Sequence, residues 1–257
     1  MKKDVLLRVT GILFFLPLSL FAGDGTHPAT IGQGPDSVAM QLHYPAKERA
    51  AQKQGAVKFY CEVSPAGKPG HISTLAGKGE THFGNAVEFA LYHGHFNPAV
   101  IDRKPVTVML GGTVLFLIAN GKPTIAVSLV TAESDKIAAM SNYMQPQMVD
   151  SDGLFRRKIY ALRDKYHTQY GAHPAAIVHV HLDAQGKITS KKIDSETPPN
   201  GGRGRVLLDV MDEEHFIPAQ NNGQAVAGDF ELAVDFEHMR DPDSGPELGS
   251  LIKNDGR

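Results

Sequence analysis

Histidine is the residue type best placed to do chemistry in this chain, with twelve copies among 257 residues. His179 and His181 share one face of an expected strand, and His93 and His95 bracket Gly94 at an expected helix end. A His-x-His pair supplies two metal ligands, whereas a structural site needs about four, held by further hydrogen bonds. No carboxylate or cysteine lies at matching spacing, so His179 and His181 are expected on a solvated outer sheet face, as are Tyr60 and Glu62 at the matching positions of the first half, with no metal and no cofactor. The run D-P-D-S-G at 241–245 begins like a calcium loop. Gly245 falls at its fifth position instead of the sixth, however, and no Glu stands at the twelfth. G-K-G at 77–79 and G-G-R-G-R at 201–205 match no phosphate-loop pattern and read as connecting loops. No Ser, His and acid cluster stands out and no pair of carboxylates recurs, so the chain is not read as an enzyme.

The elements that position these residues follow from apolar periodicity. V-K-F-Y-C-E-V puts Val57, Phe59, Cys61 and Val63 on one strand face, so the lone Cys61 is expected in a core as a small apolar residue. Tyr44 and Pro45 open a short helix with Gly55 as its stop, followed by strands at 56–63 and 71–76. Phe83, Val87, Ala90 and Leu91 give a helix over about 82–93 its apolar face. A long strand runs over about 105–118, with Gly111 and Gly112 suggesting a bulge. Asn120-Gly121 is a hairpin signal that adds a strand at 123–130.

The same order then returns. Phe155, Ile159, Leu162 and Tyr166 form a helical stripe over about 152–168, ended by Gly171. Strands follow at 177–182 and 188–193, and Leu207, Val210 and Met211 align with Val87, Ala90 and Leu91. The final strand alternates: Phe230, Leu232, Val234 and Phe236 face one side, and Glu231, Ala233 and Asp235 the other. That pattern predicts a strand packed on one face only. H-F-N-P-A at 95–99 recurs as H-F-I-P-A at 215–219, so a shift of about 120 residues superposes the halves.

The sequence therefore divides into a signal at 1–22, a flexible leader at 23–43, one domain at 44–130, a linker at 131–151, a second domain at 152–238 and a disordered tail at 239–257. Lys2, Lys3 and Arg8 precede an apolar run ending near Ala22, the form of a secretory signal. The run is shorter than the roughly 20 residues of a membrane helix. Retention as a short anchor is the alternative. The balanced charge gives no reason to expect a nucleic-acid partner. The fold class is α+β: two tandem α-β-β-α-β units, each a small antiparallel sheet with helices on one face.

Tyr44-Pro45, Gly55, the strand from Val57 to Val63, Pro65, Gly67, Phe83, Val87, Phe96 and Pro98 occur in an order that resembles the C-terminal domain of TonB. The second half is a more divergent match, keeping Gly186, Phe216, Pro218 and the last strand but lacking the Tyr-Pro opening. The resemblance implies a periplasmic protein that binds the TonB box of outer-membrane receptors by adding a strand beside its own last strand. It implies contact with the ExbB–ExbD motor only if the N-terminus remains as an anchor. If the hairpin strand 123–130 covers the first unit's last strand, a peptide is expected at the second, along Gly228, Phe230, Glu231, Leu232, Val234 and Asp235. The alternative is a scaffold whose edges are all closed by the chain itself and which transduces no energy.

Overall fold

The computed structural model describes residues 25–77, 79–132, 142–150, 152–166 and 175–236. The expected signal, the disordered tail and the helix stop at Gly171 lie outside the described residues. The first half contains β1 (Thr30–Ile31), α1 (Val38–Gln41), α2 (Ala46–Ala50), β2 (Gly55–Val63), β3 (Pro69–Ala76) and α3 (Thr81–His93). It continues through β4 (Phe96–Asn97), β5 (Ala99–Ile101), β6 (Lys104–Val106), β7 (Val108–Ala119) and β8 (Lys122–Ser128). The second half contains β9 (Tyr143–Met144), β10 (Gln147–Val149), α4 (Leu154–Tyr166), β11 (Ala175–Leu182) and β12 (Ile188–Thr197). It closes with α5 (Arg203–Met211), β13 (His215–Ile217), β14 (Ala219–Asn221), β15 (Gln224–Val226) and β16 (Gly228–Asp235).

The larger sheet has the order β13–β10–β7–β2–β3, with β8 also on β7, and the second has the order β12–β11–β16. All pairings in both are antiparallel. In each half the last long strand thus pairs with the first strand of the preceding hairpin. Alternation explains which face is dry: Val57, Phe59, Cys61 and Val63 are buried against Phe83, Val87, Ala90 and Leu91 of α3. Ala176, Val178, Val180 and Leu182 form the matching row of β11, packed with Leu207, Val210 and Met211 of α5.

Several expectations are corrected by long-range packing. The segment at 25–43 is no loose leader: β1 pairs with β4, and Ala29, Ile31, Val38 and Ala39 enter the first core. The stretch 131–151 is more than a linker, because β10 pairs with β7 on one side and β13 on the other, joining the halves in one sheet. Helix α2 ends at Ala50 instead of Gly55, with Gln52 already at a φ of 53°. No bulge falls at Gly111 and Gly112, where β2 and β7 stay in continuous register. A Cβ at Gly112 would collide with the Phe59 ring and the Ser128 carbonyl, so close approach is what requires glycine there.

The largest correction concerns the first sheet's outer face. Tyr60 and Glu62, expected beside solvent, are 0 % and 3 % exposed. Tyr60 and Met109 join Met148, Phe155, Ile159 and the apolar row of β11 in a second core that spans both halves. β16 in turn lies against β7 and β3, and Ala233 on its polar side is buried along with Phe230, Leu232, Val234 and Phe236. The one-faced packing expected of that strand is therefore incomplete.

Candidate functional site

Strand addition needs a row of backbone N–H and C=O groups with no strand beside them. β7 offers little of this. Thr113–Ala119 pairs with β8, as the Asn120-Gly121 signal predicts, and Val108 and Met109 pair with β10. In the gap, the Thr113 hydroxyl donates to the Val130 carbonyl at 2.7 Å. Gln145 accepts from the Thr131 N–H at 2.8 Å and donates its own N–H to the Leu129 carbonyl at 3.2 Å.

β16 differs. It pairs with β11 from Gly228 to Asp235 on one edge, and its other edge has no strand partner among the described residues. The six residues expected at this edge do not form one surface. Phe230, Leu232 and Val234 point into the core. Gly228 packs so closely on Tyr143 and Ala219 that a Cβ would collide with both. Glu231 accepts a hydrogen bond from the Tyr60 hydroxyl and an ion pair from Lys58 at 3.2 Å. Asp235 is half-buried at the strand end.

The landmark residues hold this framework in shape. The Tyr44 ring meets Phe83 and Phe116 edge-on, at 5.7 and 5.5 Å, and its hydroxyl donates to the Lys53 carbonyl. Pro45 sits at the entry to α2. Gly67 and Gly186 occupy the same place in their hairpins, with φ of 77° and 79°. A Cβ on either would strike the carbonyl oxygen of Phe96 or Phe216 respectively. The Phe96 N–H donates to the Gly67 carbonyl at 2.8 Å, and Pro98 stands beside this turn. Phe216 meets Phe230 edge-on at 5.5 Å, and Pro218 follows at the end of β13.

Two polar clusters are completed only by residues from distant segments. In the first, Glu62 lies between His71 Nδ1 at 2.9 Å and the Arg156 guanidinium of α4 at 2.6 Å. A bulge between Tyr60 and Glu62 in the β2–β3 pairing accompanies a left-handed φ of 46° at His71. Burial alone would raise the Glu62 carboxyl, but the bonds to His71 and Arg156 outweigh it and hold it below the ordinary glutamate value. Burial pushes the Cys61 thiol strongly up, in keeping with packing instead of nucleophilic chemistry.

The second cluster covers the outer face of the second sheet. His179 pairs in register with Lys192 of β12 and Glu231 of β16, and His181 with Ser190 and Asp229. A bulge between Ile177 and Val178 leaves Asp194 as the extra residue of β12, with its Oδ2 3.6 Å from His179 Nδ1. His179 Nε2 is 3.2 Å from Asp229 Oδ1, which His181 Nδ1 also approaches at 2.6 Å. Burial pushes the Asp229 carboxyl up, and the bonds from His181 and His179 reverse this, holding it below its ordinary value. No carboxylate stands at ligand spacing along the sequence, yet three arrive from neighbouring strands, where sequence spacing carries no signal.

Residues 40–117 match the family model of the Gram-negative bacterial TonB protein C-terminal, just under a third of the chain. No curated protein and no solved structure matches the chain. Domains of that family are non-enzymatic, transport-associated and engage outer-membrane receptors. Among the described residues, no helix is long and apolar enough to cross a membrane.

Proposed function

We propose that this is an exported periplasmic protein of TonB type, with two TonB-C-like units, the second divergent. It captures extended protein segments by strand addition along β16, in the service of outer-membrane transport. The observation that carries this reading is the contrast between the last strands: among the described residues β7 is paired along both edges, whereas β16 is paired along one. Support for two related units comes from the common order of helix, hairpin, helix and last strand and from the equivalent glycine turns at Gly67 and Gly186. The candidate partner is the TonB box of a receptor, and the ExbB–ExbD motor enters only if residues 1–22 remain attached as an anchor.

A second reading, a scaffold with closed edges, is favoured by the hold of Tyr60 and Lys58 on Glu231 and by the packing of β16 on β3 and β7. Amide hydrogen exchange of the full chain with a synthetic TonB-box peptide separates the two. Strand addition slows exchange at alternate amides of 229–235, those aimed away from β11. Unchanged exchange throughout β16 at saturating peptide overturns the binding reading and leaves the scaffold.

A further inference from the structure

The outer face of the second sheet brings one imidazole and two carboxylates together. The ligand atoms of His179, Asp194 and Glu231 lie within 4.8 Å of one another. They come from the three adjacent strands β11, β12 and β16, and all three side chains are partly shielded, at 25 %, 29 % and 19 % exposure. When His179 donates from Nε2 to Asp229, its Nδ1 presents a lone pair toward Asp194, 3.6 Å away. A lone pair facing a carboxylate is repulsive unless a positive species stands between them. A second proton on the imidazole is one such species, and a divalent cation is another.

We propose that His179, Asp194 and Glu231 bind a divalent transition metal of the zinc class, with Asp229 as the residue that orients His179. One imidazole nitrogen and two carboxylate oxygens are a donor set that suits zinc. The hydrogen bond from the remaining imidazole nitrogen to Asp229 reproduces the carboxylate–histidine–metal arrangement that fixes ring orientation in such sites. The neighbouring cations leave room for this. Lys192 addresses Oδ1 of Asp194 at 2.7 Å, while Oδ2 is the atom turned toward His179. Lys58 and Tyr60 both address Oε1 of Glu231, so neither of these bonds uses its second oxygen. Zinc–ligand distances of about 2.0–2.2 Å require the three atoms to close in modestly, which side-chain rotation at a half-exposed sheet face supplies. Three protein ligands leave a fourth position for water.

The consequence is mechanical as well as chemical. One ion would tie all three strands of the second sheet together, including edge strand β16, and would do so through the residue that Tyr60 holds from the first sheet. This proposal is independent of strand addition.

The test is calorimetric titration of the full chain with zinc chloride in a buffer that does not coordinate metal. The expected result is one saturable site per chain, with affinity reduced at least about tenfold by His179→Gln and to a lesser degree by Asp229→Asn. Cobalt(II) in place of zinc should give ligand-field absorption bands that His179→Gln abolishes. Circular dichroism of each variant checks the fold. If His179→Gln does not fold, Asp194→Asn at the exposed bulge reads the same site. The proposal is overturned by wild-type chain that binds no zinc saturably, or by unchanged affinity in a folded His179→Gln or Asp194→Asn variant, which would place the metal among other histidines.

Discussion

The outer faces of the two sheets are built from the same pattern and end in opposite environments. Position by position, Tyr60 and Glu62 of β2 correspond to His179 and His181 of β11, each flanking a buried residue, Cys61 or Val180. On the first sheet this face is sealed by α4 and β16, so Tyr60 becomes core and Glu62 a buried ion held by His71 and Arg156. On the second sheet the face is half open, so the same positions carry a polar cluster that solvent and ions can reach. Each sheet also uses a bulge to bring in an ionisable group, His71 in one and Asp194 in the other. Burial converts the first cluster into a structural joint, while exposure leaves the second available to bind.

The sharpest way to break this comparison is to truncate the corresponding residues. Tyr60→Ala should cost about 3–5 kcal/mol by opening a cavity in the shared core. His179→Ala should change stability by less than about 1 kcal/mol without metal, because its site is half-exposed. Urea denaturation of both variants measures the contrast, and similar losses would mean that the two faces are equally structural.

The hairpin turns should instead behave alike. Gly67→Ala and Gly186→Ala each force a Cβ against a carbonyl oxygen at a left-handed φ, so each should lose about 2–3 kcal/mol in thermal or urea melts. Markedly unequal losses would break the structural equivalence of the two halves.

Acid titration sharpens the contrast further. The folded-state pKa of Glu62 is lowered, so its charge stabilises the fold above the ordinary glutamate range. That stability disappears as pH falls from the ordinary range through the lowered value. Glu62→Gln should therefore cost about 1.5–2 kcal/mol at neutral pH and flatten this acid limb. His181→Gln, at the corresponding position, should leave the Glu62 part of the limb in place and remove only the smaller part that His181 gives through half-exposed Asp229. Stability measured from pH 3 to 7 for the three proteins decides the matter.

The smallest effect belongs to Glu214, beside β13, the strand that the second half contributes to the first sheet. Burial first, then the nearby Asp150, Asp152 and Glu213 charges, push its carboxyl up to about 7. A raised carboxyl is more easily protonated in the folded state, so stability falls as pH rises from the ordinary glutamate value toward 7 and levels off above it. Glu214→Gln should remove that slope and raise the midpoint of thermal unfolding slightly at pH 8. An unchanged slope between pH 5 and 8 would assign it to another group.

Local periodicity alone determined the parts of this protein that need only near neighbours. Alternation identified Val57, Phe59, Cys61 and Val63 as one dry row, and the spacing of Phe83, Val87, Ala90 and Leu91 identified the helix that covers them. Asn120-Gly121 announced the β7–β8 hairpin because a tight turn is encoded in its own two residues. Only the tertiary structure decided that Gln147–Val149 would insert beside β7, that Tyr60 would be core, and that Asp194, Asp229 and Glu231 would gather around His179. Those outcomes depend on strand register and on which face another element covers. A one-residue bulge such as that at Asp194 re-aims a side chain without altering the pattern of apolar and polar letters. Contacts between residues far apart in the chain leave no periodic trace in either partner, so the joint and the candidate metal site emerge only when the sheets are assembled.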